Sequence, residues 1–196
     1  MAGDTRGKIM AAARSCLLAD GFARLSTRKV ADAAGVPLSQ IHYHFGSKQG
    51  MVLALLDGEN QRLVARQAAM YATSAPLWHR YRQACDFLEQ DVASGYVRVL
   101  QEMIAVGWSD PEVAREVASM LHGWLAILEG VAAEAEERFG PLGPFRAHDV
   151  AMLVALAFLG GEATILLGDA AWAASARTAL RRVTDLIRAA ETASAP

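Results

Sequence analysis

One short segment, residues 38 to 45, carries several side chains that can hydrogen-bond to another molecule. It reads LSQIHYHF, and we predict a helix from about Pro37 to Phe45. On a helix that turns about 100° per residue, Leu38, Ile41 and Phe45 fall on one side. The other side carries a hydroxyl, an amide, an imidazole and a phenol, from Ser39, Gln40, His42 and Tyr43. A helix of only two turns would therefore present four different polar groups to something outside its own domain.

Groups of these types suit the edges of nucleic-acid bases. Amides pair with adenine, hydroxyls bond to most base edges, and an α-helix fits the major groove of B-DNA. We therefore predict that this segment contacts DNA bases, through Leu38, Ser39, Gln40, His42 and Tyr43.

The preceding residues predict the first half of a helix-turn-helix. A helix that begins at Ser26 or Thr27 has a hydroxyl to accept from its free N–H groups, and it would bury Val30 and its neighbours. Gly35 then ends it, since glycine takes the left-handed conformation that closes a helix. In such a motif the second helix enters the major groove.

The residues around the motif predict contacts with the DNA backbone. Ser47 can cap the next helix, and Lys48 lies in its first turn, so free N–H groups and an ammonium would lie together, as phosphate binding requires. The residues that we assign to phosphate contact are Thr27, Arg28, His44 and Lys48.

In this register the chain resembles the DNA-binding domain of the TetR/AcrR family of bacterial transcriptional regulators. The matching residues are the Ser26-Thr27 helix start, Val30-Ala31, Ala34-Gly35-Val36, Ile41-His42-Tyr43-His44-Phe45, and Ser47-Lys48 followed by Met51. Pro37 and His42 depart from the family pattern, which often has a small capping residue and usually a tyrosine there. The resemblance implies a palindromic double-stranded operator, a homodimer, a repressor role and a small, apolar effector.

Two other interpretations of the motif are weaker. The segment would be an ordinary helical hairpin if its outward polar residues were only solvated. A metal site at His42 and His44 is disfavoured because residues two apart on a helix point about 200° apart. We expect no metal and no cofactor.

Charge separates the two ends of the chain. Residues 1 to 50 hold seven Lys and Arg against three Asp and Glu, net +4, whereas the remainder is net −6. Positive charge therefore lies on the segment that would meet phosphates.

The rest of the chain predicts an all-α fold of about nine helices. Helical periodicity and punctuation by Gly and Pro predict helices that start at Lys48, Leu77, Tyr96 and Pro111, and two more after the Gly-Pro-rich residues 140 to 144. We predict a three-helix DNA-binding domain at residues 1–47 and a larger helical effector-binding and dimerisation domain at 48–196.

The eighth predicted helix, from about His148 to Leu167, is apolar nearly all round. It is not predicted to span a membrane, because Glu162 and Gly160-Gly161 interrupt an apolar run already short of a bilayer's thickness. A helix that is apolar on all sides must pack on all sides, which predicts a homodimer through this helix and the next. The interface residues that we predict are Val154, Phe158, Ile165, Trp172, Leu180, Val183 and Ile187.

Other sequence features bear on the cellular location and on whether the chain is an enzyme. Cys16 and Cys85 are not spaced for metal or redox chemistry, and the first ten residues lack the apolar core of a signal peptide, so we expect a reduced cytoplasmic protein with no membrane partner. No catalytic motif is present, and we predict that the chain is not an enzyme.

The size of the second region favours a ligand-responsive regulator over the alternative, a constitutive nucleoid-type DNA-binding protein. Aromatic and thioether groups form adaptable apolar walls, and a few polar groups orient the ligand. The predicted effector pocket consists of Met103, Trp108, Met120, His122, Trp124, Phe158 and Glu162.

Overall fold

The computed structural model describes residues 4–193, and within that range the chain forms nine α-helices and no strand. In chain order these are α1 (Thr5–Arg24), α2 (Thr27–Ala34), α3 (Leu38–Phe45), α4 (Lys48–Tyr71), α5 (Leu77–Ser94), α6 (Tyr96–Gly107), α7 (Pro111–Phe139), α8 (Ala147–Leu166) and α9 (Ala170–Ala193). The predicted all-α fold is confirmed, and α4 to α7 start at the predicted residues.

Side-chain caps fix where several helices begin. Asp4 accepts from the Gly7 N–H at 2.8 Å at the start of α1, and Ser26 Oγ accepts from the Lys29 N–H at 3.2 Å at the start of α2. Asp110 and Asp169 cap α7 and α9 in the same way. Each cap satisfies an N–H that has no partner within its own helix.

Two glycines shape the path through the first three helices. Gly35 closes α2 with φ 64°, as predicted. Gly21 has φ 76° and ψ 168° inside α1, so the helix ends there, as predicted, and one further turn continues to Arg24. Pro37 precedes α3 as its cap residue instead of occupying the first helical position.

The described residues divide into two compact units. The first unit comprises residues 4–62 and 95–120, which include α1 to α3, the first part of α4, α6 and the start of α7. Its core consists of apolar side chains that are almost wholly buried, among them Ile9, Ala13, Leu17, Val30, Ile41, Met51 and Met103. The predicted DNA-binding domain, residues 1–47, lies in this unit over its described part.

The second unit comprises residues 63–94 and 121–193. Within it α9 packs against both α5 and α8. Its core includes Leu77, Tyr81, Leu88, Phe158 and Leu180. The chain passes from one unit to the other within α4 and within α7.

Helix α8 is the one described helix that is long and apolar enough to cross a membrane, with a mean hydropathy of 1.8 over its most apolar window. The helix has 20 residues, so it is longer than the apolar run that Gly160-Gly161 and Glu162 interrupt in the sequence. A core helix of a soluble protein meets the same criterion, and α8 packs along α9. Only 33% of the window is buried within the chain, so much apolar surface faces outward.

An ion pair between a buried arginine and a half-buried glutamate ties α5 to α7 in the second unit. The Arg80 side chain is 2% exposed. Its guanidinium donates to Glu134 through both Nη atoms, one of them at 2.9 Å, and to the Tyr71 carbonyl oxygen at 2.6 Å. Because a buried guanidinium loses its hydration, this two-pronged pairing is what makes its burial tolerable.

The same network extends to the start of α5. Arg138 Nη1 donates to Glu134 at 2.9 Å, and its Nη2 donates to Glu191 of α9 at 3.4 Å. Glu191 in turn accepts from the backbone N–H groups of Leu77 and Trp78 at 2.9 and 3.2 Å. A carboxylate from α9 therefore caps α5, and one chain of charges joins α5, α7 and α9.

We predict that Glu134→Gln lowers the free energy of unfolding by about 2 to 3 kcal/mol near neutral pH, because Arg80 stays buried without its counter-charge. The hydrogen bonds from Arg80 hold the pKa of Glu134 below its usual 4.5, so its contribution is complete above that value and is lost as the pH falls through the lowered pKa. The difference between the two proteins should therefore shrink in acid.

Denaturant titrations across this pH range measure the effect. Glu137→Gln is the matched control, because Glu137 is an exposed glutamate on the same helix. A pH-independent difference, or an equal loss from Glu137→Gln, would contradict the role given to the Arg80 pair.

Candidate DNA interface

The turn between α2 and α3 is held by backbone hydrogen bonds and by apolar burial. The Val36 N–H donates to the Ala31 carbonyl at 3.0 Å, and the Gly35 N–H donates to that of Asp32 at 3.2 Å. Val30 and Ala31 of α2 and Ile41 of α3 are buried. The two helices pack on each other and on α1, which is the arrangement of a helix-turn-helix.

The face of α3 opposite Ile41 is open to solvent. Ser39 and His42 are exposed, Tyr43 is 81% exposed, and Gln40 is half-buried at the margin. Leu38 is also half-buried. The polar groups that the sequence analysis placed outward therefore do lie on the free side of the helix.

The His42 ring is held by the end of its own helix. Nδ1 lies 3.1 Å from the carbonyl oxygen of Gly46. When Nδ1 carries the proton and donates to that carbonyl, Nε2 remains as an acceptor that faces away from the helix end. In this tautomer His42 can accept a hydrogen bond from outside.

The residues predicted to contact phosphates differ in their surroundings. Arg28 is exposed in the first turn of α2, whereas Thr27 is half-buried. His44 is half-buried, with its ring edge-on to that of Tyr43 at a centroid distance of 5.1 Å.

Lys48 is engaged within its own unit. Its Nζ donates to the Phe22 carbonyl oxygen at 3.2 Å and lies 4.2 Å from the centre of the Phe22 ring. A phosphate contact would therefore have to share or replace these contacts. Ser47 caps α4 as predicted, since its Oγ accepts from the Gly50 N–H at 2.9 Å.

The last turn of α1, after Gly21, is held by Arg98 and Glu102, two residues that were not predicted to have this role. The Phe22 N–H donates to Glu102 Oε2 at 2.6 Å, and Glu102 also accepts from Arg98 Nε at 3.1 Å. Arg98 Nη1 donates to the Leu18 carbonyl at 3.3 Å. Together with Lys48 on the carbonyl side of Phe22, these contacts fix the turn that leads into α2.

The same turn requires glycine at position 21. A Cβ there would lie 2.5 Å from Arg98 Nη2 and 3.0 Å from Glu102 Oε1, and the backbone has φ 76°. Two features of the sequence relate to this turn, namely Gly21 and the spacing of four residues between Arg98 and Glu102. Because that spacing is common on exposed helices, it could not predict that the two residues contact the turn.

A second ion pair steadies the start of α2. Lys29 donates to the Asp20 carboxylate across the α1–α2 turn, and this hydrogen bond lowers the pKa of Asp20 and raises that of Lys29. Both groups are solvent-exposed, so the pair orients Lys29 without adding much stability. Arg28, beside it, remains free to point outward.

The predicted effector residues are distributed over both units. Met103, Trp108 and Met120 belong to the first unit, where Met103 and Met120 are buried and Trp108 is 84% exposed. In the second unit, Phe158 and Glu162 are buried, Trp124 is half-buried and His122 is exposed. Their burial therefore ranges from complete to almost none.

Two of these residues come together in the second unit. The rings of Trp124 and Phe158 meet edge-on with centroids 6.2 Å apart, and Tyr81 meets Phe158 in the same way at 6.0 Å. Trp124 Nε1 donates to Gln67 of α4 at 3.0 Å. An aromatic cluster with one polar link thus lies among α4, α5, α7 and α8.

The predicted dimer residues lie mostly inside the chain. Phe158, Ile165 and Leu180 are buried where α8 and α9 pack together and onto the rest of the unit, and Val154, Val183 and Ile187 are half-buried. Trp172 is exposed. Apart from Trp172, the exposed apolar residues on these helices are different ones, because the sequence pattern could not distinguish the inward face of an all-apolar helix from its outward face.

The N-terminal helices are similar in sequence to a known protein family. Residues 9–55 match the sequence model of the family described as bacterial regulatory proteins, tetR family. No curated protein sequence matches the chain.

Solved structures match along almost the whole chain. A TetR transcriptional regulator from Legionella pneumophila is 18% identical, with a TM-score of 0.72 over 93% of this chain and 99% of that chain. FadR from Bacillus subtilis, solved with stearoyl-CoA, is 15% identical, with a TM-score of 0.73 over 91% and 97%. A protein from Saccharomonospora viridis, solved with choline, is 19% identical, with a TM-score of 0.76 over 92% and 95%.

At these identities the structural matches establish the fold, and the sequence match establishes the domain. The matched residues 9–55 contain the whole of α2 and α3 and the turn between them. The resemblance is therefore confirmed over residues 9–55, which match the sequence model of the tetR family, and the chain has the fold of the Legionella pneumophila regulator.

Proposed function

We propose that the protein is a cytoplasmic transcriptional repressor that binds a palindromic operator as a homodimer and is released from it by a small-molecule effector. The observation that carries the proposal is the open polar face of α3. Ser39, His42 and Tyr43 are exposed there, while Ile41 on the opposite face is buried. A helix that is packed on one side and polar on the other is what a major-groove reader requires.

The side chains divide by chemistry into base readers and phosphate binders. Leu38, Ser39, Gln40, His42 and Tyr43 would meet base edges, with Gln40 as the reader of adenine. Thr27, Arg28, His44 and Lys48 would meet the backbone, and among these Arg28 is the exposed cation. The net charge of +4 on residues 1 to 50 would attract DNA at long range.

The outward apolar surface of α8 and α9 supports a homodimer, and we propose that its exposed residues form the interface. Leu153, Leu156 and Leu167 of α8 and its end, with Trp172 and Leu186 of α9, are between 51% and 72% exposed. On α8 these leucines follow the alternating three- and four-residue spacing of a helix–helix seam, with the exposed Gly160 between them. Two such surfaces would form a four-helix interface.

Control by an effector is supported by the size of the second unit and by the structural relatives. FadR from Bacillus subtilis was solved with stearoyl-CoA and the Saccharomonospora viridis protein with choline, so this fold accommodates ligands of very different polarity. Helix α4 is continuous from Lys48, next to the recognition helix, to Tyr71, and its Gln67 is bonded to Trp124. A ligand that displaced this helix would alter the position of the DNA-binding residues.

We expect Gln40→Ala to relax the sequence preference at one position of each half-site at a cost of about 1 to 3 kcal/mol, because it removes a base contact. Arg28→Ala should weaken binding about equally on all sequences and reduce the salt dependence by roughly one phosphate contact. Titration of both variants on operator and scrambled DNA at several salt concentrations compares them directly. Identical behaviour of the two variants would refute the division of roles.

We expect Glu102→Ala to weaken operator binding about fivefold, equivalent to about 1 kcal/mol, because the Phe22 N–H loses the acceptor that fixes the α1–α2 turn. Removing a negative charge would by itself strengthen DNA binding, so a weakening isolates the effect on position. The control is Glu116→Ala, an exposed acid of the same unit. Tighter binding by both variants would leave only the electrostatic effect.

Leu156→Arg should convert the homodimer to monomers without unfolding them, since Leu156 is exposed in the single chain and the added charge would be buried in the interface. Sedimentation equilibrium measures the mass, and Ala133→Arg, on the exposed face of α7, controls for the added charge. A monomeric unmodified protein, or a dimer that persists in Leu156→Arg, would exclude this interface.

A further inference from the structure

An apolar cavity lies within the second unit, and no residue of the predicted effector pocket lines it. Its volume is about 280 Å³, and its walls come from the end of α4 and from α5, α7, α8 and α9. Three residues that the sequence analysis assigned to the dimer interface, Val154, Val183 and Ile187, form part of the wall. Their side chains therefore face a space within one chain.

The wall offers hydrogen bonds from two tyrosines alone. Every other lining side chain is aliphatic or phenylalanine. Tyr71 and Tyr81 are both more than nine-tenths buried, and neither phenol hydroxyl has a hydrogen-bond partner among the described residues. Burial raises the pKa of both hydroxyls, so both are neutral donors. Neither oxygen is one of the fully buried polar atoms that lack a partner, so both hydroxyls open onto the cavity, where the polar atom of a ligand can reach them.

The charges nearest the cavity are already paired. The carbonyl of Tyr71 accepts from Arg80, and Arg80 is neutralised by Glu134 as described above. No charged side chain lines the wall. A carboxylate or ammonium group entering the cavity would lose its hydration without gaining a counter-charge, which is strongly unfavourable. The cavity therefore selects against ions.

Its size restricts the ligand further. At about 30 Å³ for each water-sized group, the volume holds about nine such groups. This lies at the small end of ligand pockets and matches one ring with a short side chain, or a short branched chain.

We propose that this cavity binds a small uncharged molecule, apolar except for one hydroxyl or carbonyl group that hydrogen-bonds to Tyr71 or Tyr81. The claim that this cavity is the effector site of the regulator rests on the proposed function. The claim that the cavity binds such a molecule does not. The inference gives the effector a chemical class and places it at the side of the second unit where α5, α7 and α9 are joined by ion pairs.

The test uses four probes of similar size with the full-length protein. These are 2-phenylethanol, which is neutral with one hydroxyl, propylbenzene, which lacks the hydroxyl, and the charged phenylacetate and 2-phenylethylammonium ions. At tenfold above its dissociation constant, 2-phenylethanol should raise the melting temperature by about 3 to 6 °C. Propylbenzene should bind more weakly, and the two ions should have no effect.

Matched variants locate the binding site. Ala135→Phe fills the cavity from its wall, and Ala133→Phe makes the same change on the exposed face of the same helix. The shift with 2-phenylethanol should disappear in the first and persist in the second. The double variant Tyr71→Phe, Tyr81→Phe keeps both rings and should reduce the affinity for 2-phenylethanol to that for propylbenzene, which tests the proposal even if Ala135→Phe does not fold.

Several results would overturn the proposal. These are no stabilisation by 2-phenylethanol, equal stabilisation by the ions, or a shift that survives Ala135→Phe. A shift that vanishes when the protein concentration is raised would show that a second copy occupies the groove. If 2-phenylethanol binds as expected but operator affinity is unchanged, the site stands and its use as the effector site is refuted. Failure of the unliganded protein to bind any DNA would refute the proposed function and leave the cavity result intact.

Discussion

Helix α3, which we propose as the DNA-recognition helix, depends on the burial of one side chain. An eight-residue helix is too short to be stable alone in water, because so few hydrogen bonds cannot offset the entropy of its first turn. Ile41 is wholly buried, and α3 packs against α1 and α2, so tertiary contact supplies the missing stability. The opposite face does not stabilise the helix by packing, so Ser39, His42 and Tyr43 remain available to contact a partner.

Because α3 packs against α1 and α2, its position also depends on the elements that hold those two helices in place. The turn after α1 contains a glycine with a positive φ and a backbone N–H that would otherwise lack a partner within its helix. Glu102 accepts from that N–H, and Lys48 donates to the carbonyl of the same residue, Phe22. The position of the recognition helix is thus fixed by α6 and by the start of α4 as well as by its own packing.

In the second unit, several charged groups have partners within the chain, whereas part of the apolar surface does not. Its most deeply buried charge, Arg80, is neutralised within a chain of ion pairs that runs to Glu191. Its apolar surface is instead left partly uncovered, as a cavity and as an outward stripe on α8 and α9, and Leu186 belongs to both. A concave, partly open cavity fits a small molecule and an extended stripe fits another helix, so the two surfaces suit different partners.

The sequence by itself determined the helices and the motif. Periodicity, capping residues and glycines act within a few positions of one another, so the starts of α4 to α7, the Ser26 cap and the αL conformation of Gly35 could be predicted locally. The tertiary structure alone decided which face of α8 turns inward, because Phe158 and Leu156 are both apolar and differ only in their neighbours. It alone also decided that Glu102 would meet a backbone N–H 80 residues away, and that Tyr71 and Tyr81 would share a cavity wall. Such contacts depend on how distant helices pack, and no local pattern records that.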